Sequence, residues 1–263
     1  MLNRDGELRL PSPVRTAIAA GKPVRLAWVN EVGGRTFEVG DGPGRHFLKW
    51  TPVSSGIDLD REVARLRWAA RFTPVPAVLD QGRDAAGSWI ITTALPGDNA
   101  VADRWLADPV RAVRAIGAGL RALHTALPVP DCPFSWSVQD RIADARRRAG
   151  QLDPAGWHPE HRGLSVEAAL DALSQPPGID QLVVCHGDSC APNTLVSVEG
   201  SWTGHVDLGS LGVADRWADL AIATWSTEWN YGPGWSQELL AAYGIEADPV
   251  RMRFYRLLWD LGP

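Results

Sequence analysis

Three oxygen-bearing residues, fixed in order and spacing, constrain this chain more than any other feature. His186-Gly187-Asp188 follows the apolar run Val183-Val184-Cys185. Asn193 stands five residues beyond Asp188, and Asp207 fourteen beyond Asn193. Thr194 to Val198 and Trp202 to Val206 read as a hairpin between them, so each of the three lies next to a β-type run. Any one alone reads as a turn residue or a strand cap. The ordered set of three reads as a site.

A carboxylate beside an acceptor hydroxyl, hard oxygen donors for a metal and a cation on phosphates are the parts phosphoryl transfer needs. In that reading Asp188 orients the hydroxyl and takes its proton late, while Asn193 and Asp207 are magnesium ligands. The spacing is that of a protein-kinase catalytic loop, with glycine in place of arginine between histidine and aspartate. Only two of the 26 basic residues are lysines, Lys22 and Lys49. Lys49 sits in the strand-like Phe47-Leu48-Lys49-Trp50, and Glu62 follows on the first expected helix. A strand lysine held by a helix glutamate positions the α- and β-phosphates in kinases. Gly33-Gly34 either covers phosphates with its main-chain N–H groups or is a plain hairpin turn.

The net charge of −5 argues against a nucleic-acid partner. No apolar run approaches a membrane span, and the first residues lack the layout of a signal peptide, so a cytoplasmic monomer is expected. Cys132, Cys185 and Cys190 are too few for a disulfide framework. Cys185, His186 and Cys190 raise the question of zinc, but their spacing is not that of a zinc site, and buried thiols are expected.

Val24 to Val29, Thr36 to Val39, His46 to Trp50, Val75 to Leu79 and Ser88 to Thr93 read as strands, with a helix over Asp58 to Arg71 capped by Asp58. Beyond Gly97 the chain reads as mainly helical, with helices over Pro109 to Leu127, Val138 to Ala149 and Ser165 to Leu173. The fold class is α+β in two lobes: residues 1–95, a small sheet with one helix that binds nucleotide, and residues 96–263, which carry catalysis and substrate binding. The hinge falls at about 93–98.

At these residues the chain resembles the aminoglycoside O-phosphotransferase family, whose fold is protein-kinase-like. The resemblance spans nearly the whole sequence. It is carried by Leu95-Pro96-Gly97, Leu123-His124, Asp131-Cys132-Pro133-Phe134, the His186 to Asn193 loop, Asp207-Leu208-Gly209 through Ala214-Asp215-Arg216 to Asp219-Leu220-Ala221, and Phe254-Tyr255-Arg256-Leu257-Leu258. It implies Asp188 as base, Asn193 and Asp207 as magnesium ligands, Lys49 on the phosphates and Glu62 holding Lys49. It also implies that main-chain groups of Thr93, Ala94 and Leu95 receive the purine of ATP or GTP.

Relatives that modify kanamycin usually carry arginine where this chain has Ser210, and end in an acidic pair with two aromatics. Here the stretch is Trp259-Asp260-Leu261-Gly262-Pro263, and Glu228 is the one acid between Thr224 and Trp235. The Asp-Cys-Pro-Phe stretch and the two loop cysteines are similar to the streptomycin 3''-phosphotransferase branch. The resemblance therefore implies a cationic aminoglycoside acceptor, streptomycin ahead of kanamycin. Asp188, Glu160, Glu228, Asp260 and Trp229 are candidate contacts, with Trp225 and Trp235 as further groove walls. Glu160 reads equally as a solvated loop residue. Asp215, Arg216 and Asp219 are expected to brace the loop after Asp207 by ion pairs, and His124 to be a satisfied core histidine. A kinase for another small molecule and a nucleotide-binding pseudokinase are the other readings. The second would normally lack the Lys, Asp or Asn, all of which are present.

Overall fold

Between Val24 and Thr93, branched and aromatic residues alternate with polar ones, and glycine turns break the pattern. Such a chain forms a hairpin sheet with one buried face. The computed structural model describes residues 10–262. It divides into two compact units: one runs to Ala70 and includes Val75–Leu95, and the other takes Arg71–Pro74 and the chain from Pro96 onward.

The first unit contains α1 (Ser12–Ala19), β1 (Val24–Val29), β2 (Arg35–Val39), β3 (His46–Pro52), α2 (Leu59–Ala69), β4 (Val78–Arg83) and β5 (Gly87–Thr93). Its strands form one antiparallel sheet in the order β1-β2-β3-β5-β4. Leu48 and Trp50 on β3 join Val14, Phe37 and Val39 in a buried cluster. Because side chains alternate along a strand, Lys49 points to the opposite face. The Asp58 carboxylate caps α2 by accepting from the Asp60 N–H at 3.0 Å. β4 begins three residues later than Val75, because Pro76 has no N–H for the ladder, and it runs on to Arg83. Helix α1, with proline in its first turn, was not signalled by periodicity.

The second unit contains β6 (Asp98–Asn99), α3 (Asp103–Leu106), α4 (Pro109–Ala126), α5 (Val138–Arg147), α6 (Val166–Ala172), β7 (Leu182–Cys185), β8 (Thr194–Val196), β9 (Trp202–His205), β10 (Gly212–Asp215), α7 (Trp217–Tyr231), α8 (Ser236–Tyr243) and α9 (Pro249–Asp260). β7 pairs with β10, and β8 lies between β6 and β9. Every residue of α7 from Trp217 to Thr227 is buried, the polar Asp219, Thr224, Ser226 and Thr227 included. α4, α8 and α9 pack against it. Gly117 lets α4 approach α8 closely: a Cβ there would lie 2.4 Å from the Leu239 carbonyl oxygen. Among the described residues, no helix is long and apolar enough to cross a membrane.

Candidate active site

β7 ends at Cys185, and the next two residues are held by one carboxylate. His186 N–H donates to Asp219 Oδ2 at 2.6 Å and Gly187 N–H to Asp219 Oδ1 at 2.9 Å. His124 Nε2 bonds the same carboxylate at 2.9 Å, and its Nδ1 meets the Tyr243 hydroxyl at 2.9 Å. Burial alone would push the Asp219 carboxyl up. The His124 hydrogen bond and charge, with those of His186 and the Gly187 N–H, outweigh burial and hold it below the usual aspartate range. Ser189 Oγ donates back to the Asp219 carbonyl at 2.7 Å, and Ala191 N–H donates to Ser226 Oγ at 2.9 Å. The loop therefore lies along α7, gripped at several points.

Gly187 has φ +83°, and a Cβ there would lie 2.2 Å from the Ser210 carbonyl oxygen. Only glycine fits, which explains the departure from the kinase His-Arg-Asp pattern. His186 Nδ1 accepts from the Asp188 N–H at 3.2 Å, so its Nε2 carries the proton donated to Val206 O at 2.9 Å. Val206 N–H donates to Asn193 O at 3.0 Å, and Asn193 Nδ2 to Asp188 O at 2.9 Å. These bonds tie Asp188, Asn193 and the residue before Asp207 into one circuit. Asp207 has φ 62°, the one left-handed non-glycine among the described residues.

Burial, then the negative charge of Asp207, push the Asp188 carboxyl up, while His186, Cys190 and Asn193 pull it back. Two carboxylates close enough to repel, beside an amide oxygen whose nitrogen is already committed, form a hard donor set that a divalent cation would relieve. A soft metal is disfavoured. Burial pushes the Cys185 and Cys190 thiols well up, so neither is a ready thiolate. The buried group of His124, Cys185 and Asp219 is occupied by its own hydrogen bonds, Cys185 donating to Asp215 O at 3.4 Å.

In the first unit Lys49 Nζ bonds Glu62 Oε2 at 2.8 Å, with Glu62 the more buried partner. The expectation that Gly33 and Gly34 offer N–H groups to phosphates is corrected. Gly33 N–H donates to Asn30 O at 3.1 Å and Gly34 N–H to Asn30 Oδ1 at 2.6 Å, which makes the pair a self-satisfied hairpin turn. Thr93 is the last paired residue of β5, opposite His46, and Ala94 and Leu95 continue past the ladder.

The acceptor candidates of the second unit gather around Trp225, itself fully buried rather than a groove wall. His158 packs on it with ring centroids 4.1 Å apart, and Trp229, 46% exposed, lies 5.4 Å away. The carboxylates here are already engaged. Asp260 accepts from His158 N–H at 3.2 Å and bonds His161 Nδ1 at 2.5 Å. Glu228 accepts from Ser236 Oγ at 3.0 Å and Arg256 at 3.4 Å. Glu160 is exposed, 4.0 Å from His158. Trp235 donates to Tyr231 O and is half-buried.

The bracing expected of Asp215, Arg216 and Asp219 lies elsewhere. Asp219 holds the loop before Asn193. Arg216 pairs with Asp180 at 2.7 Å, and Asp215 accepts from the Asp180 N–H at 2.9 Å. His124 is satisfied as expected, but through the carboxylate that holds the loop. Ser226, His158, His161 and Arg256 were not singled out from sequence; for Ser226, a polar residue in a mostly apolar helix was the available signal, whereas His158 and His161 lie on a turn.

A desolvated aspartate beside a second carboxylate and an oriented amide, on an α+β frame with a lysine–glutamate pair in its sheet unit, defines a kinase-like phosphotransferase with an alcohol group as acceptor. The comparisons agree. The family described as "Phosphotransferase enzyme family" matches residues 30–255. The chain is 38% identical to an aminoglycoside 3'-phosphotransferase of Streptomyces fradiae, over 79% of this chain and 81% of that one. It is 35% identical to the streptomycin 3''-kinase of Streptomyces griseus, over 86% and 87%. The solved structure of APH(3'')-Id from Streptomyces rimosus, in complex with ADP and streptomycin, superposes with a TM-score of 0.74 at 30% identity, over 95% of this chain and 97% of that one. The chain belongs to this phosphotransferase family.

Proposed function

We propose that this enzyme transfers the γ-phosphate of ATP or GTP to the 3''-hydroxyl of streptomycin and so confers resistance to it. The observation that carries the chemistry is the closed circuit His186–Asp188–Asn193–Val206, which ties the main chain of Asp188, bearer of a desolvated carboxylate, to Asn193 and to the residue before Asp207. Asp188 receives the acceptor hydroxyl as a hydrogen-bond donor. Its raised proton affinity suits late proton uptake, as the acceptor oxygen bonds to phosphorus and the bond to the leaving diphosphate breaks. Asn193 and Asp207 would hold Mg2+, which neutralises phosphate charge when bound. Lys49, oriented by Glu62, contacts the phosphates, and the main chain at Thr93, Ala94 and Leu95 receives the purine. In this reading the sheet unit binds nucleotide and the helical unit binds the acceptor.

The acceptor reading rests on the aromatic wall. Streptomycin carries planar guanidinium groups, which stack on aromatic faces and are weakly hydrated. The ammonium groups of kanamycin favour bare carboxylates. Exposed Trp229 over buried Trp225, with Asp260 and Glu228 already bonded, suits the first better than the second. The likeness to a protein solved with ADP and streptomycin supports the same choice. The test is phosphorylation of streptomycin and kanamycin side by side with each nucleotide, the product position being assigned by NMR. Streptomycin phosphorylated at 3'' is expected. Turnover of kanamycin alone would replace this reading with 3'-transfer, and turnover of neither would remove both of these acceptors, leaving a wider aminoglycoside panel to decide the class.

A further inference from the structure

Regular alternation along β1 would send Leu26 and Trp28 to the same face of the sheet. The pairing is not regular. Leu26 lies opposite Phe37 on β2 while Trp28 lies opposite Thr36, so Ala27 is an extra residue, a β-bulge. Directly opposed residues share a face, and the row continues across the sheet: Thr36 is opposite Lys49 on β3, and Lys49 is opposite Ile90 on β5. The bulge therefore turns Trp28 to the face of Lys49, away from the cluster around Phe37. Ile90, at the β5 end of the row, is buried, and α2 packs against β4 and β5. Trp28, at the β1 end, is 64% exposed; among the described residues Trp229 is the one other exposed tryptophan. A lone exposed ring needs no explanation. A ring that a bulge re-aims onto the face of a lysine held by a buried glutamate does.

We infer that Trp28 is a nucleotide-binding residue, its indole lying against the sugar and base of a purine nucleotide whose phosphates meet Lys49. Two strand spacings, roughly 10 Å, separate Trp28 from Lys49 across the sheet. That is the scale on which a nucleotide's base stands off from its diphosphate. The adjoining turn keeps its own donors, since the Gly33 and Gly34 N–H groups are spent on Asn30. The β1–β2 hairpin therefore contributes an aromatic ring rather than main-chain N–H groups. A ring face stacks on any base without reading its edges, so Trp28 grips adenine and guanine nucleotides alike. The inference rests on the reading that places the phosphates at Lys49.

The test is calorimetric titration of the full chain with ADP and with GDP in the presence of Mg2+. Trp28→Ala is expected to raise the Kd for both about tenfold, and Trp28→Phe, which keeps a ring, to stay within about threefold of wild type. Because the ring is largely exposed, the unliganded variants should melt at the wild-type temperature, which separates lost binding from lost folding. Wild-type affinity in Trp28→Ala, a loss confined to one nucleotide, or Trp28→Phe as weak as Trp28→Ala would overturn the inference. Sedimentation of wild type and Trp28→Ala tests the other occupant of an exposed edge strand, a second copy of this chain. A changed oligomeric state with ADP affinity intact would give the ring to that contact instead. Lys49→Ala separates the two levels: if it binds ADP as the wild type does, the phosphates do not lie at Lys49, and the inference falls with that reading. If it binds weakly while Trp28→Ala does not, only the inference falls.

Discussion

The side-chain nitrogen of Asn193 donates to the main-chain oxygen of Asp188 at 2.9 Å, so Asp188 and the amide five residues on are oriented together. With its nitrogen committed, Asn193 has only its oxygen to offer a cation. Asn193→Ala removes both the oxygen proposed to hold Mg2+ and the brace. We expect kcat to fall at least about a hundredfold and the Mg2+ concentration for half-maximal activity to rise. Asp207→Ala should do the same while leaving the loop circuit in place. Magnesium titration of phosphoryl transfer checks both, and an unchanged metal requirement would remove these residues as ligands.

Gly187 is a second fixed point. At φ +83°, with the Ser210 carbonyl 2.2 Å from where a Cβ would sit, any side chain must displace main chain. Gly187→Ala should cost about 2–4 kcal/mol of stability. The N–H that Gly187 gives to Asp219 and the adjoining Asp188 shift together, so activity should fall further than the folded fraction does. Thermal melts and kcat measured on the same preparation compare the two losses, and a stable, fully active Gly187→Ala would show that the loop can relax around it.

How much of this was legible in sequence follows from how local each feature is. The strands and the Asp58 cap are short-range patterns, and apart from β4, which is displaced past Pro76, they appear where expected. Asp219 was legible as a residue but not in its role, because its partner His124 lies 95 residues away in sequence. Hydrogen bonds over that distance leave no periodic trace. Gly33-Gly34 failed for a different reason. Two glycines between strands look the same whether their N–H groups point outward or, as here, to Asn30. Trp225 and Trp229 could not be told apart until His158 was seen to cover one and leave the other exposed.

His205 sets an acid limit on stability. It is buried; its Nδ1 accepts from the Trp202 indole N–H at 3.2 Å, and its ring lies 5.6 Å from that of His186. Protonation would set two donors against each other. Burial, then the proximity of His186, push its pKa well below the ordinary value of 6.5. The folded state keeps His205 neutral where the unfolded chain takes up a proton, so the stabilisation is complete above about pH 6.5 and is lost as pH falls below it. The slope from this one group approaches about 1.4 kcal/mol per pH unit. Urea unfolding of wild type and His205→Gln from about pH 8 to pH 5 should show the wild type losing stability more steeply below 6.5. Parallel curves would assign the acid loss to other groups.

Asp260 was expected to touch the acceptor directly, yet its two oxygens hold His158 N–H and His161 Nδ1. Its geometry makes it the anchor of the turn that lays His158 over Trp225. An anchor and a ligand predict different variant behaviour. If Asp260 anchors the turn, His161→Ala and Asp260→Asn should both raise the KM for streptomycin, by about tenfold each, and the pair together should be little worse than either alone. If Asp260 meets the cation itself, its removal should cost far more than that of His161, because a charge-assisted contact is lost. In either case the KM for ATP should not move, since neither residue is among those proposed to hold nucleotide or Mg2+. Streptomycin kinetics on the two single variants and the double variant decide between anchor and ligand.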